Sequence, residues 1–352
     1  MEGKHTIIWD KGGAYDLFVS LLILHWPNVF GLRPSWAAGV RSRLPMALRT
    51  ILEHSQNFLN IPLTWIHALP EPKDAATALA SLKSLDPEDR LPALVFGTKQ
   101  DVQSNSYRKL LLSLNGKQRL TANLESEILN YYQNSQASEK IYARAVFDAW
   151  SQRKSFGEKF TQALEAYIEN FFQEDEPRIL PAQENALAKV QEKAQRMDLL
   201  PLLEEISTGV RLDWIENRSE LILAPSFWGA PFVFFDRVDE NTGIILFGAR
   251  PKGKTLVPGE LIPEELLNAL KALANPTRLR ILRYLIEGSC SPTELAKILR
   301  LRPPTVVHHL QNLRLAGLVK VTVSPTIDRC YELRRDGIES TIQALQEFLP
   351  GD

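Results

Sequence analysis

The chain has 352 residues, enough for two or three domains at roughly 100–200 residues each. It is 44% hydrophobic and 24% charged with a net charge of −1, which excludes a disordered or collagen-like polymer and gives the whole chain no pull towards nucleic acid. Its two cysteines, Cys290 and Cys330, exclude a disulfide framework and fit a reducing compartment.

The N-terminal stretch MEGKHTIIWDKGG has no basic segment followed by an apolar signal core. The apolar run Leu17 to Leu24 is too short to span a bilayer, so a cytoplasmic location is expected. The first 180 residues are mostly helical in pattern. Phe156, Phe160, Leu164, Tyr167, Ile168 and Phe171 recur at three- and four-residue steps, building one apolar helix face. Similar runs lie near 14–24, 36–55, 72–85, 104–114 and 121–133. LPALVFG (91–97) is ambiguous between helix and strand, and the charged run QEDEPR precedes another helical stretch over about 182–205.

The pattern then changes. ELILAPSF, FVFFDRV and IILFGA are short β-rich runs, and Asn241-Thr242-Gly243 is a turn signal between the last two. These features predict a small antiparallel β-meander over about 219–249. The Pro- and Gly-punctuated RPKGKTLVPGELIP that follows predicts a domain boundary near residue 258.

Within FGARPKGKT, the residues Gly248, Gly253, Lys254 and Thr255 match a phosphate-loop pattern, and Thr98-Lys99-Gln100-Asp101 resembles a base-recognition element of GTPases. A phosphate loop must lead into a helix whose N–H groups meet the phosphates. Pro258, Gly259 and Pro263 forbid an immediate helix, and TKQD precedes the loop by about 150 residues. A nucleotide-binding enzyme using Gly248–Thr255 is therefore the minor alternative, and no catalytic residue or cofactor is assigned. The segment is better read as a linker, whose Arg250, Lys252 and Lys254 offer contacts to a DNA backbone.

From Glu264 the signals sharpen. PEELLNALKAL forms one helix. Asn275-Pro276 supplies a cap and a first-turn proline for TRLRILRYLIEG, which Gly288 closes. Ser291-Pro292-Thr293-Glu294 is a capping box opening TELAKILRL. Pro303-Pro304 opens TVVHHLQNLRLAGLV, with Val306, Leu310, Leu313 and Leu318 as its apolar stripe. KVTV and RCYEL form a hairpin around 324–328, and Ile338, Ile342, Leu345 and Leu349 mark a last amphipathic helix. Residues 271–335 hold 12 Lys and Arg against 4 Asp and Glu, so the rest of the chain carries about −9. A basic segment on an acidic body is the charge pattern of a nucleic-acid reader.

The order helix, helix, turn, helix, hairpin is that of a winged helix-turn-helix. NPTRLRIL, SPTELAKIL, the His-Leu at 309–310 and LRLAGLV resemble the ArsR/SmtB-type transcriptional regulators over residues 262–349. That resemblance implies a homodimer on double-stranded operator DNA, paired through the first and last helices of the unit. It places the helix from Pro303 in the major groove, where Arg302, Thr305, Val307, His308 and Gln311 reach base edges. Lys297, Arg314, Lys320, Arg329, Thr277 and Arg278 are candidates for backbone phosphates, while His309 is expected to be structural.

Many ArsR/SmtB relatives bind a metal through a cysteine pair, at positions occupied here by Ser291 and Thr293. A second family site needs histidine on the last helix, and no histidine follows His309. No metal site is therefore expected. The seven tryptophans (Trp9, Trp26, Trp36, Trp65, Trp150, Trp214, Trp228) all precede the winged helix, either filling a core or lining an apolar pocket. The expected protein is mainly α (α+β). Residues 1–258 form a helical effector-sensing domain with the meander, and 259–352 the DNA-binding and dimerisation domain. The expected effector is a non-metal small molecule with no pocket residues assigned. A winged-helix protein-interaction module is the second alternative.

Overall fold

A computed structural model describes residues 5–99, 102–132, 137–212, 214–215, 218–251, 253–260, 262–323 and 329–349. Four strands form a sheet in the body: β1 (Thr6–Trp9), β3 (Glu220–Ser226), β4 (Phe234–Arg237) and β5 (Thr242–Gly248), in the order β1-β3-β5-β4. A second sheet, in the order β2-β6-β7, joins β2 (Val210–Leu212), β6 (Val319–Val323) and β7 (Cys330–Leu333). The mainly α class with added strands agrees with the sequence reading.

The antiparallel meander is corrected. Only β4 and β5 pair antiparallel, across the turn in which Asp239 Oδ1 accepts from the Asn241 and Thr242 amides at 2.7 and 2.8 Å. β3 runs parallel to β5, and β1 runs parallel to β3 from more than 200 residues away. The physical reason is burial on both faces. From Leu221 to Ser226 every residue of β3 is buried, as are Thr242 to Phe247 of β5. Continuous apolar runs of this kind suit interior parallel strands rather than one-sided meanders.

Helices cover this sheet. Gly13–His25 is buried almost all round, from Gly13 to Leu21 without interruption. Its Asp16 is fully buried and accepts from Ser226 Oγ (2.6 Å), Trp228 N (2.8 Å), Gln183 Nε2 (2.8 Å) and Phe227 N (3.0 Å). That carboxylate ties the helix to the end of β3, and burial raises its pKa to about 6 against those hydrogen bonds.

The expected run at 36–55 is two helices, Pro34–Ser42 and Met46–Ser55, parted at Pro45. LPALVFG lies in the helix Pro87–Phe96. Glu139–Ser151 is a further helix that was not anticipated. A π-turn at Ile168–Phe172 connects Arg153–Tyr167 to Gln173–Ala194, which runs unbroken through Pro177 and Pro181. The charged QEDEPR is therefore the first turns of a helix, not a spacer before one. Helix Leu199–Ile206 follows. Tryptophans mainly fill cores: Trp150 and Trp228 have no exposure, and Trp36 stacks on Trp228.

The C-terminal unit consists of helices Glu264–Leu273, Pro276–Leu285, Pro292–Leu299, Pro303–Leu315 and Arg335–Phe348 with β6 and β7. Its core continues into the body, because one apolar cluster holds Ile281, Leu295 and Leu310 together with Leu203, Leu223 and Ile245. β2 precedes the expected boundary near 258, yet it pairs parallel with wing strand β6 from Val210↔Val321 to Leu212↔Val323. The turn expected at 324–328 lies outside the described residues.

Candidate nucleic-acid interface

Local chemistry builds the helix-turn-helix as read. The Asn275 side chain accepts from the Arg278 amide at 3.1 Å. Ser291 and Glu294 complete the capping box, with Glu294 N to Ser291 Oγ at 3.2 Å and Ser291 N to Glu294 Oε2 at 2.8 Å. The first helix of the motif ends at Arg300, which takes a left-handed conformation (φ 55°). The Leu301 amide returns to Ala296 O at 3.0 Å, closing the turn. Arg302 is then the extended cap of Pro303–Leu315, with proline at its start.

That helix buries Val306, Leu310 and Leu313 completely. Its opposite face presents Thr305, His308 and Gln311, and Arg302 is exposed at its start. Positions 305, 308 and 311 follow one another at three-residue steps, so they share a face. Val307 is half-buried at the edge. Asn312, not singled out from sequence, joins this face by donating to His308 O at 2.7 Å, with its amide 3.3 Å from His308 Nε2. His309 is half-buried, and its buried Nδ1 has no partner among the described residues. Burial, followed by the Arg278 and His308 charges, lowers its pKa.

The phosphate candidates divide into two groups. Lys297 and Arg329 are exposed, and Thr277 is half-buried. Three others are held within the protein. Arg278 donates from Nε to Ala272 O (3.0 Å) and from Nη2 to Lys271 O (2.6 Å). Arg314 lies with its guanidinium 5.9 Å from the centre of the Phe232 ring of the body, and burial lowers its pKa. Lys320 forms an ion pair with Glu204, which also accepts from Arg211 Nε at 2.8 Å.

The linker reading of FGARPKGKT needs one correction. Arg250 is not a DNA-backbone contact, because its side chain is 2% exposed and donates to Ala230 O (2.9 Å) and Glu265 Oε1 (3.0 Å). It latches the end of β5 to the first helix of the C-terminal unit. Gly253 has φ +77°, Thr255 Oγ1 donates to Val257 O at 2.7 Å, and the next helix begins only at Glu264. Lys252 lies outside the described residues, as do Gln100 and Asp101 of TKQD, while Lys99 pairs with Asp236 at 2.6 Å.

Cys290 is bridged through its backbone to Tyr331, and burial pushes its thiol pKa up. Ser291 is a helix cap and Thr293 is exposed. Among the described residues, no group of three His, Cys, Asp or Glu side chains is placed to hold a metal ion. Among them, too, no helix is long and apolar enough to cross a membrane.

One cluster in the body escaped the sequence reading. Asp10, 5% exposed, accepts from Lys73 Nζ at 2.7 and 2.8 Å and from Tyr15 OH at 2.8 Å, and contacts His67 Nδ1 at 2.5 Å. Burial favours its neutral form, but the hydrogen bonds from His67, Lys73 and Tyr15 outweigh that and hold the pKa below the usual carboxylate range. Of these partner side chains only Tyr15 is near in sequence, 5 residues on, while His67 and Lys73 lie 57 and 63 residues away.

A helix-turn-helix domain model matches residues 273–322. The HTH-type transcriptional regulator CmtR of Mycobacterium tuberculosis and of Mycobacterium bovis is 50% identical over 52 residues, 15% of this chain and 44% of the relative. The chain thus spans less than half the length of those relatives. An uncharacterised HTH-type transcriptional regulator of Methanocaldococcus jannaschii is 34% identical over 86 residues, 24% of this chain and 96% of the relative. The crystal structure of an ArsR family transcriptional regulator aligns to 25% of this chain and 99% of its own at 24% identity, with a TM-score of 0.22. The capped turn, its following helix, the domain match and the similarity to the Methanocaldococcus relative coincide in one segment, and through it the chain belongs to the HTH-type transcriptional regulators.

Proposed function

We propose that the protein binds operator DNA as a homodimer, and that its N-terminal part adjusts this binding in response to a non-metal small-molecule effector. The observation that carries the reading is the free outer face of the helix Pro303–Leu315, where Thr305, His308 and Gln311 stand clear of the core beside Arg302. An exposed helix of this width fits a major groove, and these side-chain types pair with base edges.

The exposed apolar residues of the last helix support the homodimer. Ile342 and Phe348 are 54% and 40% exposed, and Leu270 on helix Glu264–Leu273 is 36% exposed. A second copy covering these residues brings two recognition helices to successive major grooves, roughly 34–36 Å apart. The pairing of β2 with β6 supports modulation, because a ligand that shifts the body strand also shifts the wing.

Selection of binding sites from random duplexes, followed by anisotropy titrations over a range of salt, tests this. A dimeric reader loses affinity steeply with salt as counterions are released. Arg302→Ala and His308→Ala should each flatten discrimination between selected and altered sites by about 1–3 kcal/mol. Lys297→Ala should instead weaken all duplexes alike. No binding at low salt would leave the winged helix as a protein-interaction module. Nucleotide turnover abolished by Lys254→Ala would establish an enzyme in the body.

A further inference from the structure

We infer that the cleft between the body and the wing is a ligand site for a small, largely apolar molecule carrying one acidic head group. The cleft has a volume of about 510 Å³, within the roughly 300–1,000 Å³ of small-molecule sites, which favour domain junctions. Its wall is apolar: Leu203 from helix Leu199–Ile206, Val210 and Leu212 from β2, and Ile245 from β5. A ligand seated there touches the body helix, the body sheet and the strand that extends the wing.

The polar groups at the cleft are richer in donors than in acceptors. Arg211, Lys320 and Arg334 line it. Both oxygens of Glu204 are already used, one by Arg211 Nε and one by Lys320 Nζ. Glu205 is turned to Lys193. Asp336 accepts from Arg334 Nη2 at 2.5 Å but is 63% exposed, so solvent screens it. Arg334 Nη1 donates to Thr208 O at 3.2 Å. Guanidinium and ammonium groups carry five and three N–H donors respectively, so this set keeps donors for a further acceptor. A carboxylate or sulfonate fits that need better than a hydroxyl or an amine.

Gly209 brings the two cations of the wing together. Its φ is +87°, and a Cβ there would lie 2.9 Å from Lys320 Cγ and 3.0 Å from Arg334 Cδ. Both cationic stems therefore cross the backbone at the same point, beside the apolar wall.

The consequence for DNA binding rests on the regulator reading above, but the site is tested without DNA, so either can fail alone. The probe is anilinonaphthalene sulfonate, an apolar ring system with one anionic group, titrated by fluorescence into the full chain. Saturable binding of one probe per chain is expected. Arg211→Gln and Leu200→Glu, both at exposed positions of the cleft, should each weaken it about tenfold, the scale of one charged hydrogen bond. Ile141→Ser, at an exposed apolar position of the body helix Glu139–Ser151, should leave it unchanged. Decanoate should displace the probe at least about tenfold better than decanol, the acidic head supplying the same charged hydrogen bond. Binding insensitive to both cleft variants, or lost in Ile141→Ser, overturns the site. Equal displacement by decanoate and decanol overturns the acidic head group.

Discussion

His25 ends the helix Gly13–His25 with its Nδ1 2.7 Å from Leu21 O and its Nε2 buried with no partner among the described residues. Burial lowers its pKa from 6.5 to about 4, and Arg41 adds in the same direction. The unfolded chain therefore binds this proton first as pH falls, so the folded state loses stability between about pH 6.5 and 4. Relative to His25→Gln, the wild type should lose roughly 3 kcal/mol across that window, measured by chemical denaturation at fixed pH steps. A flat difference would mean the imidazole reaches solvent. Lys73 is a second buried basic group, and this one has an acidic partner. It is 7% exposed and bonds both oxygens of the buried Asp10, so Lys73→Met should cost about 3 kcal/mol by stranding the carboxylate. The double variant with Asp10→Asn should regain part of that loss. If it regains none, packing of the lysine stem rather than charge is what matters.

Two glycines separate propensity from packing among the helices. Gly157 lies in Arg153–Tyr167 where that helix crosses Pro87–Phe96, and an added Cβ would be 2.0 Å from Pro87 O. Gly39, in Pro34–Ser42, has nothing within 4 Å of the same position. Alanine favours a helix interior by about 1 kcal/mol over glycine. Gly39→Ala should therefore stabilise by up to about that amount. Gly157→Ala should destabilise by roughly 1–3 kcal/mol, because backbone has to move to admit the methyl group. Thermal unfolding of the pair gives both signs at once, and a stabilising Gly157→Ala would disprove the close crossing. The helix periods around these glycines were legible as apolar spacing. The crossing was not, since it is set by a partner helix whose contact residue, Pro87, lies 70 residues earlier.

At the scale of the molecule, the body reaches into the reading unit at several points. β2 extends the wing sheet, Glu204 pairs with Lys320, and Arg314 rests on Phe232. A basic side chain neutralised in this way contributes less to attraction of phosphate. Glu204→Gln should therefore raise DNA affinity several-fold at low salt and steepen its salt dependence, as Lys320 is released to the backbone. Unchanged affinity and slope would mean that Lys320 stays away from DNA in the complex. The same contacts explain why a boundary drawn near residue 258 from prolines and glycines marks a linker in the chain without separating the cores. Leu203, Ile245 and Leu310 share one apolar cluster.

The winged helix could be read from sequence because its determinants are local. Caps, a first-turn proline and helical spacing act within a few residues, and Asn275, Ser291 and Glu294 make the hydrogen bonds their spacing implies. The apolar spacing of Val306, Leu310 and Leu313 marked the buried face of the recognition helix, and Thr305, His308 and Gln311 lie opposite it. The parallel pairing of β1, β3 and β5, the Asp10–Lys73 cluster and the attachment of β2 to the wing were decided only by tertiary structure. Each joins residues far apart in sequence, where a strand or a charge has many available partners. The burial of Arg250 was decided in the same way: a basic residue in a linker reads as solvated until a carboxylate from another element meets it.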